Sequence, residues 1–471
     1  MEDCDGVSSF TILYRYIKEV FNYELTILPH TKAKAHGISS DVNIPDDLNL
    51  LISPDGGTNN REEILKLEDD GTEVLILDHH LKSDTIDKLD YGIIINNQTS
   101  DKVNNKALCG AGVVYKFLCG FSEVYNLPSP DKYLDLVAMS NVADAMDISS
   151  LETRYFVKQG FKQINNPFIK AIMEVKSYEM GGKINPHSFS FNVIPLINAT
   201  IRSGTFDEKV EMQQAFISDD YDFCLSVANK LKKTKAKQDS YVKRNMERIS
   251  KTLKIKEEDK IIIVDGGGVD GAVVGLVAMK LSDKYKLPCI VYNIYGDGIC
   301  SGSARGLGNI TLKEDFANSG LTIFQEGHSL AFGISFELSN LEALKQYINN
   351  LYKDIEFGDS KCYDVDFEIP QFFLDQNFVD SLATLEDEVS RGFEQPLVAI
   401  TSVEVILTDN NVKGRTNVIF EVNGIKFIKK FASKAWKEEH LYKPLECVII
   451  GKCVKGYNDI GEVEIVDLEF K

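Results

Sequence analysis

The stretch Glu73-Val-Leu-Ile-Leu-Asp-His-His80 decides how this chain folds. A short apolar run rich in Val, Ile and Leu reads as a strand buried in a parallel sheet, and in open α/β sheets functional groups collect just past the carboxyl ends of such strands. Asp78, His79 and His80 stand at that place. Further carboxylates hold similar positions: Asp3 and Asp5 ahead of a helical pattern, Asp55 after Leu50-Leu-Ile-Ser53, and Asp144 closing the apolar stretch Asp135–Asp144. Together they form an oxygen-rich set tempered by imidazole, which suits Mn2+ or Mg2+ better than a metal that prefers thiolates.

Outward from that stretch, the 471 residues are enough for about three domains of ordinary size. No apolar run approaches a membrane span, and no basic segment leads into an apolar one at the N-terminus as a secretory signal would, so the expected address is the cytoplasm. Nine cysteines are scattered without a Cys-x-x-Cys pair and read as buried small hydrophobes. A formal charge of −19 excludes a protein that coats nucleic acid over its whole surface, because phosphate binding depends on Lys and Arg. Any such contact must be local. The candidate is Lys230–Arg244, where Lys230, Lys232, Lys233, Lys235, Lys237, Lys243 and Arg244 meet one acid, Asp239; the alternative reading is the solvated face of a long helix.

Residues 1 to about 150 alternate short apolar strands with amphipathic helical stretches, which predicts a parallel sheet covered on both faces. From 151 to about 255 strand signals are few, and the charged stretch with helical spacing predicts a helical bridge. A second α/β unit opens at Lys260-Ile-Ile-Ile-Val264, breaks at Asp265-Gly-Gly-Gly268 and continues into an apolar helix ending near Tyr285, with the next strand at Pro288–Tyr292. After about 358 short strands alternate, with a hairpin turn at Asn423-Gly424, and predict a small β barrel or sandwich.

Hydrolysis of a phosphodiester needs a nucleophile drawn from water and compensation for charge on the phosphoryl oxygens, which two divalent ions about 3.5–4 Å apart supply. Asp55 is the candidate bridge between such ions, because the turn Pro54-Asp-Gly-Gly57 exposes it beyond its strand. Taken singly, each aspartate is equally a helix cap or turn former; recurrence at several segment ends favours the cage. Gly302-Ser-Ala-Arg305 by itself reads as a plain Gly-rich turn. Among the histidines His79, His80 and His328 fall in motifs, while His30, His36, His187 and His440 read as structural or surface residues.

Asp3-Cys-Asp-Gly-Val-Ser-Ser9, Asp55, Asp78-His79-His80 and Val142-Ala-Asp144 resemble the ordered motifs of the DHH phosphoesterases. Leu108-Cys-Gly-Ala-Gly-Val113 and Pro195-Leu-Ile-Asn-Ala-Thr-Ile-Arg202 are similar to segments of the RecJ single-strand exonuclease branch, and the likeness continues through Asp270–Gly275, Gly302–Arg305, Glu326-Gly-His328 and Leu385–Pro396. The resemblance implies an α/β fold: a DHH domain (1–204), a connecting helix (205–255), a DHH-associated domain (256–357) and a C-terminal OB-like barrel (358–471). It implies two Mn2+ ions, with Mg2+ as the alternative, one held by Asp5, Asp55, His79 and Asp144 and the other by Asp3 with Asp55. Asp78 and His80 would orient those ligands. Ser303, Arg305 and His328 would hold the phosphate, Arg305 through its planar fork. Asn198 and Arg202 either fix a loop or, as the resemblance implies, line the path of the incoming strand. The sequence departs from the family at Met1, which stands where the first motif usually has an aspartate, and at Glu326, where a Gly-Gly-His is expected.

The function so implied is Mn-dependent hydrolysis of single-stranded DNA, from the 5′ end, in repair, recombination or replication, with a single-strand-binding protein or helicase as partner. The rivals are a DHH phosphodiesterase of short oligonucleotides or cyclic dinucleotides, against which residues 360–471 weigh, and a non-catalytic replication or repair scaffold, against which the intact Asp55, Asp78, His79, His80 and Asp144 weigh.

Overall fold

Two compact units make up the chain in a computed structural model, one of Met1–Ile197, Met212–Ala228 and Asp364–Lys471, the other of Asn198–Glu211 and Asn229–Tyr363. The residues described are 3–470 apart from 29–36, 39–41, 43, 46, 84–85, 87, 309, 358–362 and 415–416. Met1, His30 and His36 therefore lie outside the described residues.

In the first unit α1 (Cys4–Phe21) starts at Asp3, whose carboxylate accepts the orphan N–H groups of Asp5 and Gly6. Strand β1 (Leu50–Pro54), helix α2 (Arg61–Asp69) and strands β2 (Glu73–Asp78) and β3 (Ile93–Asn96) follow as an alternating α/β block. The three strands pair in parallel in the order β1-β2-β3, with Pro54 opposite Leu77 and Asp78 opposite Asn96. Asp55 and Asp78–His80 thus emerge at one end of adjacent strands. Ile64 of α2 packs with Ile38, Val74, Ile76, Ile86 and Tyr91 on one face. Helices α3 (Gly110–Tyr125) and α4 (Leu134–Ala143) complete the block. The stretch ending at Asp144 is this last helix; Leu136, Val137, Ala138 and Met139 are fully buried, so it carries no polar face from which a helical period could be read.

No strand occurs between Asn97 and Ile261 among the described residues, and the main helices there are Leu151–Gly160, Pro167–Val175, Ile194–Ser203, Phe206–Ile217 and Tyr221–Thr252. The second unit holds β4 (Ile262–Asp265), β5 (Cys289–Ile294), β6 (Ile299–Arg305), β7 (Thr322–His328) and β8 (Ala331–Glu337) in one sheet of order β4-β5-β6-β8-β7. β4 and β5 are parallel, as a crossover through the helix Val274–Tyr285 requires, and the other pairs are antiparallel. Val274, Val277, Ala278 and Leu281 of that helix bury against Ile262, Cys289 and Val291.

The C-terminal segment belongs to the first unit. Strands β9 (Phe367–Pro370), β10 (Leu397–Ile406), β11 (Val412–Lys413), β12 (Asn417–Val422), β13 (Ile425–Lys429), β14 (Pro444–Lys455) and β15 (Gly461–Phe470) form a sheet of order β11-β12-β13-β15-β14-β10-β9. Asn423 and Gly424 both have positive φ, 53° and 75°, and join β12 to β13 in the two-residue turn expected from the sequence. The expected barrel is not seen: the edge strands β11 and β9 do not pair among the described residues, and the sheet stays open, with a core that includes Val398, Ile400, Phe427, Ile449 and Val463. A backbone bond from Ile148 N–H to Arg391 O and a side-chain bond from Lys183 to Glu386 tie this segment to the helical part of its unit. The described cysteines are free thiols, all buried except the half-buried Cys119.

Candidate metal centre

Four side chains from four places in the sequence converge where β1 and β2 end. His79 Nε2 lies 3.3 Å from Asp55 Oδ1, 3.6 Å from Asp5 Oδ2 and 3.6 Å from Asp144 Oδ2. Asp55, His79 and His80 form one group whose ligand atoms lie close enough to share an ion, and Asp5, His79 and Asp144 form another. Asp3 is not part of either group; one of its carboxylate oxygens is engaged in capping α1.

Each ligand is held by the local fold. Asp5 is buried, and its two oxygens accept from the N–H groups of Gly110 (2.6 Å) and Ala111 (2.9 Å) at the start of α3, where the helix dipole favours an anion. Asp55 sits at φ 63°, in the left-handed region that aspartate enters more readily than most L residues, and its N–H is bonded to Leu77 O at 2.8 Å. A Cβ at Gly110 would come within 2.8 Å of the Asp55 carboxyl carbon, so glycine is what lets α3 start against this side chain. Asp144 caps α4.

Behind the ligands, Asp78 is 1% exposed and carries a dense set of hydrogen bonds. Its Oδ1 accepts from the N–H groups of His79 (2.7 Å) and His80 (3.1 Å) and pairs with His80 Nδ1 at 2.7 Å, while Oδ2 accepts from Thr58 N–H at 3.0 Å. Asn96 Nδ2 then donates to Thr58 Oγ1 and to His80 O, and Tyr91 donates to Thr58 O. Burial opposes the Asp78 charge, but the bonds from His80 and Thr58 outweigh it and hold its pKa below the carboxylate range; the same bond raises the His80 pKa.

The ligand carboxylates show the reverse. Burial, then the charges of Asp5 and Asp3, pushes the Asp55 pKa well up, and burial together with Asp5 raises Asp144 to about 6. Asp55 Oδ1 is buried without a hydrogen-bond partner, a costly condition that a bound cation removes. The donor set, carboxylate oxygens with imidazole and no thiolate, fits Mn2+ or Mg2+.

The second unit brings together a different group. Arg305 ends β6, and Ala331 of β8 lies opposite both Arg305 and His328 of β7, so the arginine and the histidine share one end of the sheet. A Cβ at Gly275 would strike the Arg305 guanidinium and lie 3.5 Å from Ser303 Oγ, which places both beside the start of the helix Val274–Tyr285. Burial and the nearby charge of Arg202 lower the Arg305 pKa. Asn198 Oδ1 is buried without a hydrogen-bond partner, Arg202 is exposed, and Glu326 is exposed on β7 opposite Gly333.

The model of the DHH family N-terminal domain matches residues 1–140. Over 458 residues the chain is 32% identical to YorK of Bacillus subtilis (strain 168), named as a putative SPbeta prophage-derived single-strand DNA-specific exonuclease, covering 91% of this chain and 78% of that protein. The chain belongs to the DHH family, on its RecJ-like branch. RecJ of Thermus thermophilus in complex with Mn2+ shares the fold with a TM-score of 0.73 at 21% identity, covering 100% of this chain and 68% of that one. The same protein with Mg2+ gives a TM-score of 0.69 at 18% identity, covering 100% and 66%. No helix among the described residues is long and apolar enough to cross a membrane.

In this DHH protein the residues that sequence reasoning passed over are Thr58, Tyr91 and Asn96, the struts behind Asp78, and Gly110 and Ala111 as donors to Asp5. Gly110 and Ala111 fall within the motif Leu108–Val113, whose glycines signal a close backbone approach. Thr58, Tyr91 and Asn96 carry no signal, since nothing local marks a hydroxyl or amide that will bond across a sheet.

Proposed function

We propose that the protein is an exonuclease of single-stranded DNA that hydrolyses phosphodiester bonds with two divalent ions, Mn2+ above Mg2+, working from the 5′ end in the cytoplasm in repair, recombination or replication. As a RecJ-like DHH enzyme it is a hydrolase of phosphodiester bonds. The observation that carries the metal assignment is the buried Asp55 Oδ1, without a hydrogen-bond partner, among His79, Asp5 and Asp144. Asp5, Asp55, His79 and Asp144 would hold one ion and Asp3 with Asp55 the other. When bound, such ions activate water and offset phosphoryl charge. The chain's own contribution is to hold the carboxylates fixed: Gly110 and Ala111 orient Asp5, the Leu77 carbonyl anchors the Asp55 backbone, and Asp78 sets the tautomer and direction of His80.

Ser303, Arg305 and His328 would hold the phosphate, with Asn198 and Arg202 beside the strand. Arg202 lies near enough to Arg305 for the two charges to interact, and two neighbouring cations suit a phosphate. The domains are read as 1–204, 205–255, 256–357 and 358–471, the last an OB-like binding module. Exposed Phe372 and Phe373, with ring centroids 4.1 Å apart, and exposed Phe431 and Tyr442 support it, because bases stack on such rings without regard to sequence. A single-strand-binding protein or helicase would deliver the strand. The test is digestion of single strands labelled at either end, with Mn2+, with Mg2+ and with chelator. Release of the 5′-terminal nucleotide first, only with metal, is expected; release from the 3′ end corrects the polarity, and metal-independent cleavage rejects the site.

A further inference from the structure

The helix Tyr221–Thr252 carries a feature that the metal centre does not use. Leu231, Thr234, Gln238, Val242 and Ile249 are buried and define its inner face. Lys233, Lys237 and Arg244 are exposed and sit at i, i+4 and i+11, within about 40° of one another at 100° per residue and about 130° round the helix from the middle of that inner face. They form one straight stripe, with gaps of roughly 6 and 10 Å along the axis. Between Lys230 and Lys254 the acids are Asp239 and Glu247 alone.

The run fits either a solvated helix face or a local anion contact. A solvated face interleaves opposite charges that pair along the helix. Here the pairs lie to the sides: Lys230 bonds Glu211 at 2.7 Å, and Lys235 bonds Asp239. Lys233, Lys237 and Arg244 have no ion pair among the described residues. Like charges at i, i+4 cost a helix a few tenths of a kcal/mol. The exposed Glu247, three residues after Arg244, borders the stripe, and no ion pair joins it to Arg244 among the described residues.

We propose that Lys233, Lys237 and Arg244 form a track for the phosphate backbone of single-stranded nucleic acid, separate from the residues assigned to metal and scissile phosphate. This rests on the exonuclease reading, which names a polyanion as substrate. The linear spacing suits successive backbone phosphates, whereas an acidic protein segment would have no reason to follow a straight line of isolated cations. The track adds affinity for long strands and contributes nothing to the bond being cleaved.

The experiment uses the full-length protein and the triple variant K233Q/K237Q/R244Q, whose exposed glutamines keep the helix. Affinity for a long oligothymidylate is measured across a salt series with metal chelated, and hydrolysis of a dinucleotide is measured with Mn2+. The slope of log affinity against log salt should fall by about 2, at about 0.7 for each phosphate that the variant no longer neutralises, while dinucleotide turnover stays unchanged. An unchanged slope overturns the track. Loss of polyglutamate binding with an unchanged DNA slope overturns it too and assigns the stripe to an acidic protein. A wild-type protein that cleaves no substrate overturns the exonuclease reading instead, which the salt slope of the variant distinguishes from failure of the track.

Discussion

Replacing Asp55 with asparagine separates what the carboxylate does for metal from what it costs the metal-free fold. Asparagine keeps the shape and tolerates the φ of 63° at this position. It removes a charge that is buried, without a hydrogen bond at Oδ1 and pushed towards the protonated form by burial, Asp5 and Asp3. Each pH unit by which the folded pKa exceeds the unfolded one costs the ionised carboxyl about 1.4 kcal/mol, a cost that asparagine, which cannot ionise, escapes. For a domain of this size each kcal/mol moves Tm by roughly 2–4 °C, so lifting about 1–3 kcal/mol from the metal-free fold should make the variant in chelator melt about 2–12 °C higher than wild type. Because the folded-state pKa is raised, the native carboxyl holds a proton that the unfolded one has released, and stability falls as pH rises from about 4 through the folded value. The advantage of asparagine should therefore vanish below about pH 4. With Mn2+ at about a hundredfold excess over Kd, wild type gains about 2.7 kcal/mol and the variant loses most of that gain. The two melting curves should thus exchange order on adding metal, and turnover should fall by more than about 100-fold. Calorimetry in chelator and in Mn2+ decides it; an asparagine variant that is no more stable in chelator and gains as much from Mn2+ as wild type refutes the reasoning.

Further outcomes are expected. Gly110→Ala drives a methyl against the Asp55 carboxyl and should weaken Mn2+ binding by about 10–100-fold in a metal titration; an unchanged titration would show that α3 does not position the cage. Asp78→Asn removes the charge that orients His80 and should lower metal affinity by a similar 10–100-fold while the protein stays folded by circular dichroism. Arg305→Ala should leave the Mn2+-induced rise in Tm intact, cut turnover and reduce the salt slope of strand binding by about 0.7; loss of metal binding instead would move Arg305 into the cage. Phe431→Ala should weaken binding of long single strands by about 5- to 150-fold, from about 1–3 kcal/mol per stacked base, and spare dinucleotide hydrolysis; equal effects on both would give that ring a structural role.

Much of the architecture is legible in the sequence because it is written locally. The Val74–Leu77 run, the Asn423-Gly424 turn and the break at Asp265–Gly268 each declare a strand end or turn within a few residues, and the ordered DHH motifs by themselves point to Asp5, Asp55, His79 and Asp144. The stretch Asp135–Asp144 resists, because a helix buried all round has no period to read. Tertiary structure alone decided that residues 5, 55, 79 and 144 meet within 3.6 Å of one imidazole nitrogen, that Thr58 and Asn96 brace Asp78, and that the C-terminal strands stay an open sheet in the same compact unit as the metal centre. The reason is one of range: strand and turn propensities act between chain neighbours, whereas ligand convergence and sheet closure depend on pairings across many residues, whose geometry no local pattern records.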